Sequence, residues 1–113
     1  LSKFKIKHIG IRQKDSQRFS TSSITDYISG CCMFLSKKVF FDLKGFDESF
    51  FLYGEDVDFC LRAKCKDIQS IYIPKAKIWH HVSFSSGKFS INKVYNKYLG
   101  LIKIIFNYYN KRY

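Results

Sequence analysis

A cluster of carboxylates limits how this chain can fold and what it can bind. Three of its nine acidic side chains, in a chain with a formal net charge of +11, fall within four consecutive positions: Glu55, Asp56 and Asp58. Like charges this close repel one another. Proteins tolerate such repulsion where a metal, a cationic partner or a reacting proton makes use of it.

Apolar residues follow the acidic cluster at helical spacing. Val57, Leu61 and Cys65 recur every fourth position, and Cys60 widens the same stripe. This periodicity predicts a helix over 55–66, with the acidic cluster in its first turn. A helix macrodipole stabilises negative charge there by about 0.3–1 kcal/mol. The spacing alone therefore leaves a functional acidic site and an ordinary charged helix start equally open.

Shorter elements are predicted on both sides of this helix. Ser36 is a good N-cap for a helix over 37–43, which Gly45 would end. The other predicted elements are an irregular basic lead-in over 1–26, a buried strand over 27–35, an aromatic loop over 46–54, a strand over 70–73 before Pro74, an extended segment over 77–81, a flexible loop over 82–90 and an amphipathic helix over 91–110. The apolar side predicted for the last helix is formed by Val94, Tyr98, Leu101, Ile102, Ile105 and Tyr109.

The composition indicates a folded and strongly basic protein. Hydrophobic residues make up 46% of the chain and aromatic residues 19%, enough for a core together with a pocket or a buried interface. The net charge favours anionic partners, and lysine as the default surface residue is the simpler alternative. Because the basic residues are spread along the chain without a recognisable motif, we expect no nucleic-acid partner.

The four cysteines are predicted to be free thiols. Cys31 and Cys32 are adjacent, and no two cysteines have the CxxC spacing of a zinc site. We recognise no secretory signal, so we expect thiols in a reducing cytoplasm rather than disulfides.

Several motifs in this chain follow one another in a familiar order. They are Ser29-Gly30-Cys31-Cys32-Met33, Gly45-Phe46-Asp47-Glu48-Ser49-Phe50-Phe51, Tyr53-Gly54-Glu55-Asp56-Val57-Asp58-Phe59-Cys60-Leu61-Arg62 and Ile78-Trp79-His80-His81. Their order, types and spacing resemble the C-terminal half of family 2 glycosyltransferases, especially the rhamnosyltransferase-like members, over residues 27–87.

The resemblance implies an α/β fold, the acceptor-side half of a Rossmann-like GT-A domain with short strands and a long C-terminal helix. The domain division that follows is a lead-in over 1–26, the catalytic half over 27–90 and a C-terminal amphipathic helix over 91–113. Such enzymes transfer a sugar from a nucleotide-sugar donor to a hydroxyl acceptor, with inversion at the anomeric carbon. The expected acceptor is a glycan or a lipid-linked saccharide, and the expected setting is cell-surface glycan synthesis.

The resemblance also assigns roles within the acidic cluster. The second acid of the family's "ED" pair is the general base, which carries over to Asp56 with Glu55 as its catalytic neighbour. Asp58 becomes a candidate for binding or orienting the acceptor. Gly30 matches the position where the backbone passes close to the donor sugar, and a β-bulge glycine is the alternative.

The tryptophan–histidine motif is assigned to the donor side. The family's histidine can supply one metal ligand, which carries over to His80, with His81 as an alternative. Trp79 is a candidate for stacking on the sugar or nucleotide, and a core position is the other interpretation. A divalent cation, Mg²⁺ or Mn²⁺, is expected in a complete enzyme because the nucleotide diphosphate leaves as an anion. We expect no full metal site from this chain by itself.

The N-terminal, nucleotide-binding half of such a domain has no counterpart in residues 1–26. We therefore expect this chain alone to be inactive and to self-associate as a homo-oligomer, covering apolar surface that the missing half would cover. The alternative function is a non-catalytic interaction or membrane-surface module derived from a transferase. The basic and aromatic C-terminal helix fits a membrane surface, so the expected location is the cytoplasm or the inner face of a membrane.

Overall fold

The computed structural model describes residues 6, 9–10, 13–80 and 91–109. The predicted loop over 82–90 and the alternative metal ligand His81 lie outside the described residues. Five helices and strands follow in order: β1 (Ser23–Thr25), α1 (Lys37–Asp42), α2 (Glu55–Cys65), β2 (Ser70–Tyr72) and α3 (Ile91–Tyr108). Short 3₁₀ turns lie at Gln17–Phe19 and Gly30–Cys32. The described part is thus a small mixture of helices and strands, as expected for part of an α/β domain.

Helix α1 begins and ends as its sequence predicts. The Ser36 side chain accepts a hydrogen bond of 3.2 Å from the Val39 N–H, which satisfies a free donor of the first turn. At the other end Lys44 and Gly45 have φ angles of 61° and 67°, and the Gly45 N–H donates to the Phe40 carbonyl at 2.8 Å. The left-handed turn ends the helix, a conformation that glycine adopts at no steric cost.

The sheet is assembled from one predicted and one unpredicted strand. Strand β2 confirms the prediction over 70–73, and it pairs antiparallel with β1 through Ile24 and Ile71. β1 lies inside the segment predicted to be an irregular lead-in, so that prediction is wrong for its last residues. Ser, Ile and Thr tolerate an extended backbone, and the pairing with β2, distant in sequence, decides the outcome.

The buried strand predicted over 27–35 is not formed. A 3₁₀ turn occupies Gly30–Cys32, and the Ser29 hydroxyl accepts from the Cys31 N–H. The Gly30 N–H is directed to the side chain of Asp56 instead of a neighbouring strand. A local hydrogen bond to Ser29 and a long-range one to Asp56 therefore replace the ladder that a strand would need.

Helix α2 is the central element of the core. Its buried residues are Asp58, Phe59, Cys60, Leu61 and Ala63. Phe59 and Ala63 pack with Leu43 in one cluster, whereas Leu61, which is 1% exposed, packs with Phe50 and Ile104 in a second cluster. Helix α2 is thus buried on two sides and contributes to both clusters of the core.

Helix α3 packs through a side other than its apolar stripe. Its buried residues are Gly100 and Ile104, and Tyr108 is half-buried one turn later. The six residues of the predicted apolar side are between 41% and 61% exposed: Val94, Tyr98, Leu101, Ile102, Ile105 and Tyr109. The apolar side is therefore not the side that packs against the described core, and the reason lies at Gly100.

Gly100 lets the backbone of α3 approach the turn before α2. A Cβ atom built at Gly100 would lie 2.3 Å from the carbonyl oxygen of Tyr53 and 3.7 Å from the Cα of Gly54. The first distance is far shorter than any contact between non-bonded heavy atoms. The smallest residue, and not the most apolar stripe, sets the orientation of α3.

We expect Gly100→Ala to lower the free energy of unfolding by about 1–3 kcal/mol, because the added methyl group would clash with backbone. The direction of the change in stability identifies the clash, because helix propensity alone would make the alanine variant more stable by about 1 kcal/mol. Urea unfolding monitored by circular dichroism measures the difference. Asn107→Ala, at an exposed position of the same helix, is the matched control and should change stability by less than about 0.5 kcal/mol. A stabilised Gly100→Ala variant would contradict the close packing.

Candidate functional site

A left-handed turn leads into α2 and sets where the acidic cluster begins. Tyr53 and Gly54 have φ angles of 71° and 102°. Gly54 is the N-cap, and its carbonyl accepts from the Asp58 N–H at 2.8 Å. Positive φ is costly for a tyrosine, and the packing of α3 against this turn holds it in place. The first turn of α2 then carries Glu55, Asp56 and Asp58, as predicted.

Asp56 is half-buried, and three hydrogen bonds reach its carboxylate. The Tyr27 hydroxyl donates to Oδ2 at 2.8 Å, and the Gly30 N–H donates to the same oxygen at 2.9 Å. The Val57 N–H donates to Oδ1 at 2.8 Å. An ionised carboxylate can accept about four hydrogen bonds, roughly two at each oxygen. Among the described contacts Oδ1 accepts only one, so it can accept a hydrogen bond from a further donor.

Gly30 lies directly beside this carboxylate. A Cβ atom at Gly30 would meet the Cβ of Asp56 at 3.5 Å and Oδ2 at 3.6 Å, which are ordinary van der Waals contacts. The structure thus brings two predicted site residues together. The predicted closeness of Gly30 to a donor sugar stays a prediction.

Glu55 is half-buried beside Asp56 in sequence. Its Oε2 atom is shielded from solvent and has no hydrogen-bond partner within the described residues. A buried carboxylate oxygen without a donor is costly, so a ligand or water that donates a hydrogen bond there would be favoured. Its predicted catalytic role stays a prediction.

Asp58 is a buried acid, 2% exposed, that joins three parts of the fold. Arg62 Nε donates to Oδ2 at 2.7 Å, and the Tyr108 hydroxyl donates to Oδ1 at 2.6 Å. Arg62 also donates to the carbonyl of Leu43. Burial, and then the neighbouring Asp58 carboxylate, raise the pKa of Tyr108 above its ordinary value, so the phenol stays a donor. With both oxygens engaged, Asp58 contacts protein groups; its predicted role in acceptor binding stays a prediction.

Trp79 and His80 lie at the surface of the described residues. Trp79 is 92% exposed, so the interpretation of Trp79 as a core residue is wrong for this structure. His80 is also exposed. Within the described residues, no group of three or more His, Cys, Asp or Glu side chains could hold a metal ion. Within the part of the chain that the structure describes, His80 is therefore not joined by enough ligands to form a metal site.

One surface cavity lies away from the acidic cluster. It has a volume of about 420 Å³ and is lined by Asp15, Ser16, Gln17, Phe19, Ser20, Pro74, Lys75 and Lys77. Lys77 and Asp15, both more than 60% exposed, form an ion pair of 2.5 Å there. None of the predicted site residues lines this cavity.

Two tyrosines and one arginine contact the predicted site without having been identified from the sequence. Arg62 stands four residues after Asp58, and this helical ion-pair spacing is a signal that the sequence does contain. Tyr27 and Tyr108 contact the cluster across 29 and 50 residues of sequence, and no local pattern marks them.

Comparison of the sequence with known protein families identifies the family of this chain. A sequence model described as "Glycosyl transferase family group 2" matches residues 5–111. This chain belongs to that family of glycosyltransferases. The resemblance stated from the motifs, including its rhamnosyltransferase-like character, is confirmed.

Curated relatives of this glycosyltransferase chain include two named rhamnosyltransferases. The N-acetylglucosaminyl-diphospho-decaprenol L-rhamnosyltransferase of Mycobacterium tuberculosis is 37% identical over 62 residues, which are 55% of this chain and 20% of that protein. Rhamnosyltransferase WbbL of Escherichia coli is 28% identical over 69 residues, 61% of this chain and 26% of that protein. The low-salt glycan biosynthesis hexosyltransferase Agl10 of Haloferax volcanii is 42% identical over 43 residues, 38% of this chain and 14% of that protein.

The matched region is a small part of these relatives. This chain covers about a fifth of the length of the mycobacterial enzyme. No solved structure matches the chain significantly. Among the described helices, none has the length and apolarity required to cross a membrane.

The hydrogen bonds around Asp58 allow a prediction about stability. We expect Asp58→Ala to lower the free energy of unfolding by about 3–5 kcal/mol, because it leaves Arg62 without its carboxylate in a largely buried position. Tyr108→Phe should cost about 1 kcal/mol through the loss of one hydrogen bond.

Asp42→Ala is the matched control, since Asp42 forms an exposed ion pair with Lys38 at the same helical spacing. It should cost less than about 1 kcal/mol. Chemical denaturation compares the variants. Equal losses of stability for Asp58→Ala and Asp42→Ala would show that the buried network stabilises the fold no more than an exposed ion pair does.

Proposed function

We propose that this chain forms the acceptor side of an inverting glycosyltransferase with a GT-A, Rossmann-like domain, in which Asp56 is the general base. The observation that carries the proposal is the Asp56 carboxylate itself. It is half-buried at the start of α2, fixed at Oδ2 by two donors from another segment, with an acceptor position left at Oδ1. Such an acid can receive a proton without moving.

The proposed reaction requires a base of this kind. A sugar hydroxyl is a poor nucleophile until its proton begins to leave. Asp56 takes that proton while the hydroxyl oxygen forms a bond to the anomeric carbon of the donor. The bond from that carbon to the nucleoside diphosphate breaks on the opposite face, and inversion follows. General base catalysis of this type contributes about 10²–10⁴-fold to a rate.

The names of the relatives support a choice of substrates. Two are named rhamnosyltransferases, and one of them acts on an N-acetylglucosaminyl-diphospho-decaprenol. We therefore propose a nucleoside-diphosphate deoxyhexose or hexose as donor and a lipid-linked saccharide or glycan as acceptor, with a role in cell-surface glycan synthesis.

The remaining predicted site residues keep supporting roles in this proposal. Glu55 is the neighbour of the base; its Oε2 has no hydrogen-bond partner among the described residues but is shielded from solvent, so a substrate hydroxyl would reach it only if the site opens. The indole of Trp79, almost fully exposed, is available for stacking on a sugar face. His80 as a ligand of a divalent cation, Mg²⁺ or Mn²⁺, requires further ligands beyond the described residues. Any such cation would stabilise the departing diphosphate.

The main test is Asp56→Asn in the full-length protein. We expect turnover of a nucleoside-diphosphate L-rhamnose with an N-acetylglucosaminyl-diphosphoprenol acceptor to fall by about 10²–10⁴-fold, because asparagine cannot accept the proton. Donor binding by calorimetry should change less than about threefold, since the base does not contact the nucleotide. The matched control is Asp67→Asn just after the same helix, where φ is 57° and asparagine is well tolerated. Retained turnover in Asp56→Asn would exclude Asp56 as the base.

A second candidate function rests on the exposed side of α3. The same six residues that the packing leaves uncovered are apolar or aromatic, a combination that suits a membrane surface. In this alternative the chain is an interaction or membrane-surface module derived from a transferase. Homo-oligomerisation through the same side would cover these residues equally well.

Sedimentation with liposomes separates these possibilities. If α3 binds membranes, the protein should sediment with vesicles containing anionic lipid, and Leu101→Asp with Ile105→Asp should abolish it. If α3 joins two copies, the same double variant should instead convert a dimer to a monomer by light scattering. A monomer that does not sediment with vesicles would contradict both membrane binding and dimer formation through α3.

A further inference from the structure

The phenol of Tyr27 is the one side chain from outside α2 that the described contacts place on the Asp56 carboxylate. Its hydroxyl donates to Oδ2 at 2.8 Å across 29 residues of sequence. The Gly30 N–H donates to the same oxygen at 2.9 Å. Tyr27 and Gly30 thus belong to one short segment that contacts a single oxygen of the proposed base.

This segment is itself fixed to α2. The Cys60 sulfur accepts from the Ile28 N–H at 3.4 Å, and the Cys60 thiol donates to the Ile28 carbonyl at 3.7 Å. Cys60 is buried and lies one turn after Asp56 on the same helix. The hydroxyl of Tyr27 therefore reaches Asp56 from a backbone that is attached to the helix next to the carboxylate.

We propose that Tyr27 is a positioning residue for the transfer reaction, holding Oδ2 of Asp56 so that Oδ1 is the oxygen that receives the acceptor proton. This inference rests on the proposed role of Asp56 as base. It adds the atom that receives the proton and the residue that selects that atom. With Oδ2 accepting two hydrogen bonds, its lone pairs are engaged, whereas Oδ1 accepts only from the Val57 N–H among the described contacts.

The electrostatics of the site are consistent with a phenol that always donates. Burial, followed by the contact with Asp56, raises the pKa of Tyr27 above its ordinary value. The other titratable groups near Asp56 include Glu55 on the same helix and the Cys60 thiol. Burial also raises the pKa of Cys60, so this thiol stays neutral beside the carboxylate. Tyr27 keeps its proton throughout the pH range in which a carboxylate base works.

Tyr27→Phe in the full-length protein tests the proposal, with the nucleoside-diphosphate L-rhamnose and N-acetylglucosaminyl-diphosphoprenol pair as substrates. We expect kcat to fall by about 10-fold to 100-fold, with little change in KM for the donor. The unfolding midpoint of the variant is measured alongside, because a purely structural loss would lower stability without a selective loss of kcat.

Tyr72→Phe is the matched control. Its hydroxyl also donates one hydrogen bond, of 3.1 Å, to the carbonyl of Phe19, away from the acidic cluster. This variant should keep the kcat of the unchanged protein. A Tyr27→Phe variant that loses stability while its kcat stays unchanged would show a structural role only and would overturn the proposal.

A measurement that needs no turnover examines the contact separately. In protein labelled with ¹³C at tyrosine Cζ, Asp56→Asn should shift the Tyr27 resonance at neutral pH, because the negative charge that accepts its hydrogen bond is removed. An unchanged Tyr27 resonance would show that the contact is absent and would overturn the proposal. If Asp56→Asn retains turnover, the proposed base fails and the positioning role fails with it. If Asp56→Asn is inactive but Tyr27→Phe has normal kinetics, only the positioning role fails.

Discussion

The buried carboxylate of Asp58 is the interaction on which the rest of this structure depends. It joins α2 to α3 through Tyr108 and, through Arg62, to the end of α1. A buried charge is stable only when it is paired and hydrogen-bonded, as Asp58 is. These bonds therefore restrict how the three helices can pack against one another. It also fixes the rotation of α2 about its axis. Residues 56 and 58 lie about 200° apart around a helix, so burying Asp58 turns Asp56 towards the opposite side.

This geometry separates two tasks within one acidic cluster. The sequence leaves a functional site and a charged helix start equally open, and the structure gives the carboxylates different partners. Asp58 is surrounded by protein donors, which suits a structural role. Asp56 meets Tyr27 and Gly30 and keeps an acceptor position, which suits chemistry. The two interpretations of the cluster are therefore compatible, because they apply to different residues.

Local signals in the sequence were sufficient for some elements and insufficient for others. The Ser36 cap, the end of α1 at Gly45, the range of α2 and strand β2 are set by neighbouring residues, and each was predictable. β1 forms only because β2 pairs with it. The strand predicted over 27–35 is replaced by a turn because Asp56 takes the Gly30 N–H. The hydrophobic pattern does not indicate which side of α3 packs, because the closest contact is made by Gly100, which has no side chain. Asp56 was found through its motif, whereas Tyr27 has no local signature.

The contacts on Asp56 also bear on any reaction that it performs. Both donors from outside α2 meet Oδ2, so they fix the orientation of the carboxylate and leave an acceptor position on the other oxygen. A lysine or arginine at the position of Tyr27 would hold the carboxylate more strongly, but its full positive charge would oppose proton uptake. A buried phenol whose own pKa is raised is a neutral donor that orients the acid and keeps its own proton. Orientation without a counter-charge is thus the physical reason for a tyrosine at this contact.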